Sequence, residues 1–91
     1  MKLLDNCFKK SPKTASRLVD GEAVVVVPNE GIVYVLNQVG SRIWELSDGT
    51  KHSQEIVKII SDEFNVSQEE AEKDMSDFIK ELMEKKILVS I

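Results

Sequence analysis

The side chains that could perform chemistry are few and scattered along this sequence. His52 is the only histidine and Cys7 the only cysteine, so His and Cys residues cannot supply the three or four ligands of a zinc site. His52 lies in a polar stretch without a nucleophile motif, which favours a solvated loop histidine over a general base. Cys7 has Lys9 and Lys10 nearby, yet an ordinary surface thiol is the simpler interpretation. The sequence therefore predicts no enzyme and no bound metal.

The distribution of charge argues against binding to nucleic acid. The chain of 91 residues carries 12 basic and 16 acidic side chains, a formal net charge of −4. Seven acidic residues fall on the last predicted helix, namely Glu69, Glu70, Glu72, Asp74, Asp77, Glu81 and Glu84. They do not form a twelve-residue calcium loop, so the pattern is typical of a solvated helix face. DNA phosphates should repel this helix.

Length and hydropathy predict one small domain in the cytoplasm. Ninety-one residues form a single domain, and a single cysteine cannot make an internal disulfide. The sequence has no run of 18 apolar residues and no signal peptide at its start, so no membrane partner is expected. Residues 1–14 hold four lysines against one acidic residue and show no sustained periodicity. They are predicted to form a flexible N-terminal arm, with the domain at residues 15–91.

Two turn signals define the β-strands that must position any site. Asp20-Gly21 separates two β-favouring runs and is typical of a tight hairpin turn. Residues 28–31 form a second turn, because Pro28 presets its own φ and Gly31 can adopt positive φ. A third apolar run follows at residues 32–36. The pattern predicts a three-stranded antiparallel β-meander.

After the meander, the hydrophobic period changes from two to 3.6, which predicts three α-helices. Asn37 caps a short first helix, Ser53 caps a second that Asn65 terminates, and a capping box at residues 67–70 begins a longer third helix to about Lys86. Six helical residues are expected to be largely buried, namely Ile43, Trp44, Leu46, Ile56, Phe64 and Phe78. The β-prone tail at 87–91 is expected to return to the sheet edge or pack under the helices. The fold class is α+β and winged-helix-like.

The third strand is apolar on both faces, which leaves two hypotheses open. If Tyr34 faces one way with its alternate neighbours, Val33 and Val35 face the other. On the first hypothesis, the N-terminal arm or the C-terminal tail covers the second set, and spacing alone favours this one. On the second, the strand is an open edge that accepts an extended peptide as a fourth strand. On the second hypothesis the peptide-binding residues of the strand and of the third helix are Ile32, Val33, Tyr34, Val35, Leu36, Met75, Ile79 and Met83.

An ordered set of motifs resembles the PqqD family. The motifs are residues 37–49 (NQVGSRIWELSDG), 53–56 (SQEI) and 74–82 (DMSDFIKEL). The family pattern has an asparagine before a short helix, an Ile/Val-Trp-x-Leu-x-Asp-Gly helix end, a Thr/Ser-x-Glu-Ile helix start and an Asp-Val-x-x-Phe-Leu-x-x-Leu third helix. Met75 and Ile79 are conservative departures from the last motif. The resemblance extends over roughly residues 16–88.

The resemblance implies a RiPP recognition element, a non-catalytic peptide chaperone without a cofactor. Such a protein binds the leader segment of a ribosomally synthesised precursor peptide as an added strand between the third strand and the third helix. It presents that leader to a modifying enzyme, often a radical SAM enzyme, and acts as a monomer or homodimer. The resemblance thus favours the open edge, although PqqD-like chains serve many pathways besides coenzyme PQQ synthesis. The alternative from another class is a winged-helix DNA-binding regulator whose basic arm grips phosphate.

Overall fold

The computed structural model describes residues 7–91, which form two three-stranded sheets and three helices. In chain order the elements are β1 (Cys7–Lys10), β2 (Ala15–Val19), β3 (Glu22–Val27), β4 (Ile32–Val35), α1 (Gln38–Leu46), β5 (Asp48–His52), α2 (Ser53–Phe64), α3 (Gln68–Glu84) and β6 (Leu88–Ser90). One sheet has the strand order β2-β3-β4 and the other the order β5-β1-β6. The predicted α+β class, with an antiparallel meander followed by helices, is confirmed.

The meander forms where the turn signals place it. Asp20 and Gly21 both adopt positive φ, 52° and 82°, as the tight turn between β2 and β3 requires. Ala23, Val25 and Val27 of β3 are buried, whereas the alternate residues of the strand are more exposed. This period of two gives the sheet an inner face against the helices and an outer face.

The second sheet corrects the prediction that residues 1–14 form a flexible arm. Cys7–Lys10 is the central strand of this sheet, between β5 and β6, and Phe8 is buried in the core. Burial of this one aromatic side chain, together with hydrogen bonds to two neighbouring strands, fixes a segment whose lysines suggested a solvated chain. Residues 1–6 lie outside the described part of the chain.

Two further segments of this sheet differ from expectation. Asp48–His52, predicted as a loop, pairs with β1 as β5, although His52 is exposed as predicted. The apolar tail does return to a sheet edge, but Leu88–Ser90 pairs with β1 and not with the meander. Within the described residues, therefore, neither β1 nor the tail lies along the edge of β4.

The helix boundaries follow their capping signals closely. The Asn37 side chain accepts a hydrogen bond from the Gly40 N–H at 2.7 Å and caps α1. Asn65 ends α2 in the left-handed conformation, with φ of 54°, and the Ser67 hydroxyl accepts from the N–H of Glu70 at the start of α3. In α2 the predicted cap residue, Ser53, is the first helical residue, so His52 holds the N-cap position. No helix within residues 7–91 has the length and apolar character needed to cross a membrane.

The core lies between the inner face of the meander and the helices. Trp44 is buried there, and its Nε1–H donates to the Ser16 hydroxyl at 3.0 Å, which ties β2 to α1. Four of the six predicted core residues are buried, namely Ile43, Trp44, Leu46 and Ile56. Phe64 and Phe78 are less buried than these four: both are partly buried and pack against the core.

A single buried hydroxyl joins α1 to the end of the meander. Ser41 Oγ accepts a hydrogen bond from the Ala23 N–H at 2.6 Å and donates to the Leu36 carbonyl at 3.1 Å. Leu36 N–H in turn donates directly to the Ala23 carbonyl at 2.9 Å. The hydroxyl thus completes the last rung of the ladder between β3 and the chain leaving β4. It fixes the direction in which the chain passes from sheet to helix.

Candidate functional site

The terminal strand of the meander, β4, presents an unpaired backbone edge. The Leu36 N–H donates a hydrogen bond to the Ala23 carbonyl directly opposite. Hydrogen-bonded and non-hydrogen-bonded pairs alternate along an antiparallel ladder, so Tyr34 is hydrogen-bonded to Val25 of β3. The N–H and C=O groups of Val33 and Val35 consequently point away from β3. The edge therefore offers two donors and two acceptors in the pattern that an added strand would use.

The side chains of β4 separate into two sets. Tyr34 lies opposite the buried Val25, so Ile32, Tyr34 and Leu36 face the helices. Val33 and Val35 face outward, with 57% and 64% of their surfaces exposed. Both valines are thus on the same face, and it is the face opposite the helices.

The C-terminal end of α3 closes over the inner face of β4. Lys85 follows the last helical residue, and its Nζ lies 5.5 Å from the centroid of the Tyr34 ring. The same ammonium group donates to Glu81 Oε1 at 2.9 Å. The cation lies within range of the electron-rich ring face and has a carboxylate partner. These contacts place the C-terminal end of α3 beside the inner face of β4.

A cavity of about 300 Å³, called the cleft below, lies near the end of β4. It opens between the start of α1 and α3, and its lining residues are Asn37, Val39, Gly40, Ile43, Asp74, Asp77, Phe78 and Glu81. The four lining residues on α3 are spaced at i, i+3, i+4 and i+7, so they form one stripe along the helix. Lys85 continues this stripe one turn beyond Glu81. Val39, Ile43 and Phe78 give the cavity apolar lining, and three carboxylates also line it.

Close packing of α1 on α3 shapes this cavity. A Cβ atom at Gly40 would lie 2.7 Å from Phe78 Cε1 and 3.1 Å from the Asn37 amide oxygen. Only glycine therefore admits the Phe78 ring at this height above α1. The ring remains partly exposed and forms the aromatic part of the cavity wall.

The predicted site residues of α3 are divided differently. Met75 and Ile79 belong to the core, with 0% and 5% of their surfaces exposed, whereas Met83 is exposed but does not line the cavity. Each step along a helix rotates the side chain by about 100°, so the stripe beginning at Asp74 faces the cleft and the stripe beginning at Met75 faces the core. The sequence pattern missed the lining residues because their acids suggested a solvated face. The signal that could have found them is Phe78, an aromatic residue at the border of the apolar stripe.

The arrangement is suited to binding. Within residues 7–91 no group of three or more His, Cys, Asp or Glu side chains is placed to hold a metal ion. Every buried side-chain nitrogen and oxygen atom in that part of the chain has a hydrogen-bond partner. What the site supplies is an open strand edge and a cleft near its end, a combination typical of domains that recognise extended peptides.

These features define a small α+β domain of the peptide-recognition class. The chain belongs to the PqqD family, since the family model described as coenzyme PQQ synthesis protein D (PqqD) matches residues 22–88. Among solved structures it resembles one described as TbiB1 in complex with the TbiA(beta) leader peptide. The identity is 36%, the TM-score is 0.80, and the match covers 88% of this chain and 93% of that one. No curated protein matches the sequence significantly.

Proposed function

We propose that this protein binds the leader segment of a ribosomally synthesised precursor peptide as a strand added to β4, and holds it for a modifying enzyme. One observation carries the proposal: the N–H and C=O groups of Val33 and Val35 point away from β3, at the free edge of the sheet. The structural neighbour is described as a complex with a leader peptide, which supports a leader peptide as the ligand. The protein acts here as a recognition partner and not as a catalyst.

The free energy of binding has two sources at this edge. Four backbone hydrogen bonds, each contributing about 0.5–1.5 kcal/mol, supply roughly 2–6 kcal/mol independently of sequence. A dissociation constant near 1 μM corresponds to about −8 kcal/mol, so apolar contacts must supply the remainder. Alternate leader side chains face inward and meet Tyr34 and the cavity beside Phe78. The backbone therefore provides affinity, and the cleft selects among leaders.

The residues proposed to bind the leader follow from this geometry. Val33 and Val35 act through their backbone, Ile32, Tyr34 and Leu36 provide the inner wall, and the opposite wall is the α3 stripe that includes Phe78. Met75 and Ile79 support that stripe from the core, and Met83 lies outside the cavity lining.

The enzyme that receives the leader is proposed to be of the radical SAM class, as the family resemblance implies. The rival function, DNA binding, lacks support in the same surface: the exposed side of α3 carries Asp74, Asp77 and Glu81, which phosphates would repel.

The direct test is amide hydrogen exchange with and without the pathway's leader peptide. Binding should slow exchange at the Val33 and Val35 amides, whereas the Tyr34 amide, already bonded to β3, should change little. A scrambled leader of the same composition is the control. Protection confined to α2, or none at saturating leader, would refute binding at the β4 edge.

A further inference from the structure

The end of α3 holds one ammonium group at the inner face of β4. Lys85 Nζ lies 5.5 Å from the centroid of the Tyr34 ring and donates to Glu81 Oε1 at 2.9 Å. An ammonium group has three N–H donors, so the bond to Glu81 leaves two for other acceptors. The Lys85 side chain is 32% exposed, which lets an acceptor from outside the chain reach it.

The backbone at Lys85 is anchored, so its side chain starts from a fixed position. α3 ends in a Schellman motif, in which the Lys86 N–H donates to the Met83 carbonyl at 3.0 Å and the Ile87 N–H to the Leu82 carbonyl at 3.1 Å. Lys86 has the left-handed φ of 62° that this motif requires, and Ile87 is buried in the core. The turn therefore holds Lys85 beside β4 whether or not a ligand is bound.

A strand added to β4 brings one of its own side chains to this ammonium group. Residues directly opposite each other on neighbouring strands lie on the same face of the sheet, with Cβ atoms about 4.5–5.5 Å apart in an antiparallel pair. The leader residue opposite Tyr34 therefore faces inward, toward the end of α3. Its side chain reaches the space around Lys85 Nζ, which the covering strand also shields from water.

Resting on the proposed leader binding, we propose that Lys85 is a specificity-determining residue. It favours leaders with an acidic side chain opposite Tyr34 and disfavours leaders with a basic side chain there. The leader carboxylate accepts a hydrogen bond from a free donor of the ammonium group, while Glu81 retains its own bond.

The other carboxylates of the α3 stripe act on a different part of the leader. Asp77 precedes Lys85 by eight positions, which is about 12 Å along the helix axis at about 1.5 Å per residue. Exposed charges at that separation are largely screened at physiological ionic strength, where the Debye length is about 8 Å. Asp74 lies further still from Lys85. The charge that the leader residue opposite Tyr34 meets first is therefore that of Lys85.

The test compares versions of the precursor's leader peptide that carry Glu or Lys at one position, scanned through the bound segment. Calorimetry should show one position at which wild-type protein binds the Glu version about fivefold or more tightly than the Lys version. Lys85→Glu should reverse that preference, and Lys85→Met, which keeps an unbranched apolar side chain, should abolish it. Glu81→Gln should increase it, because the ammonium group then has no carboxylate partner within the protein.

Lys80→Glu is the matched control. It makes the same change of charge on the same helix, at an exposed residue that lies five positions earlier and about 140° away around the helix axis. Its preference between the two leader versions should stay within about twofold of wild type. Circular dichroism shows that each variant is folded.

Two results would overturn the inference alone: a folded Lys85→Glu protein that binds leader with the wild-type preference, or a scan in which no position favours Glu. If Lys85 only packs on Tyr34, its variants lose stability and leave the preference unchanged. Failure of the proposed function looks different, because no leader version then binds or the Val33 and Val35 amides stay unprotected. That result overturns both proposals.

Discussion

Proline at Val33 or Val35 tests the proposed edge with little disturbance of the sheet. Proline has no N–H, and at these two positions the N–H points away from β3, so no ladder bond within the protein is lost. Tyr34→Pro is the contrasting variant, because its N–H is one of those that bond to β3. The three substitutions therefore separate loss of peptide binding from loss of fold.

The expected magnitude follows from the number of hydrogen bonds removed. One lost bond to the leader costs about 0.5–1.5 kcal/mol, which raises the dissociation constant roughly 2- to 13-fold. The double variant Val33→Pro/Val35→Pro loses two, so a weakening of roughly 5- to 160-fold is expected if the effects add. Steric contact of the rings with the added strand increases these values.

Isothermal titration calorimetry against the leader peptide gives the affinities, and circular dichroism shows which variants are folded. Threonine at the same positions is the control, since it keeps both the N–H and the β-branched shape, and its affinity should stay within about twofold of wild type. If the folded proline variants bind as tightly as the threonine controls, the leader does not pair with β4 and the proposed function is wrong.

Three further predictions concern the elements that hold the site. Ser41→Ala should lower the free energy of unfolding by about 1–3 kcal/mol in thermal or urea melts, because two buried backbone groups lose their partner. Gly40→Ala should destabilise despite the better helix propensity of alanine, and adding Phe78→Leu should recover stability. Hydrogen bonds from Thr50 lower the pKa of Asp48 to about 2. The stability that the Asp48 carboxylate contributes is therefore complete above about pH 4 and is lost as the pH falls toward 2. In acid melts Asp48→Asn should lose less stability between about pH 4 and pH 2 than wild type.

Short-range signals predicted the elements around the site well. The turn at Asp20, the cap at Asn37 and the left-handed Asn65 each depend on the chemistry of a few neighbouring residues, and the structure confirms them. β5 could not be found in this way, because its DGTKH sequence has no apolar alternation and its partner strand lies about 40 residues away. The sequence also could not show which side of α3 lines the cavity, because a shift of one residue along a helix rotates the side chain by about 100°.

The pairing of the terminal strands explains why the edge of β4 is open. Covering that edge with β1 would withdraw Phe8 from the core, and covering it with β6 would withdraw Ile87 and Leu88; all three are buried. Each such side chain contributes about 1.5–3 kcal/mol on burial, so the exchange would forfeit roughly 1.5–3 kcal/mol for β1 and roughly 3–6 kcal/mol for β6. Such a loss is a substantial part of the whole stability of a small domain, about 5–15 kcal/mol. The segments that could have covered β4 within residues 7–91 are therefore held in the other sheet, and the exposed edge is a stable feature of the fold.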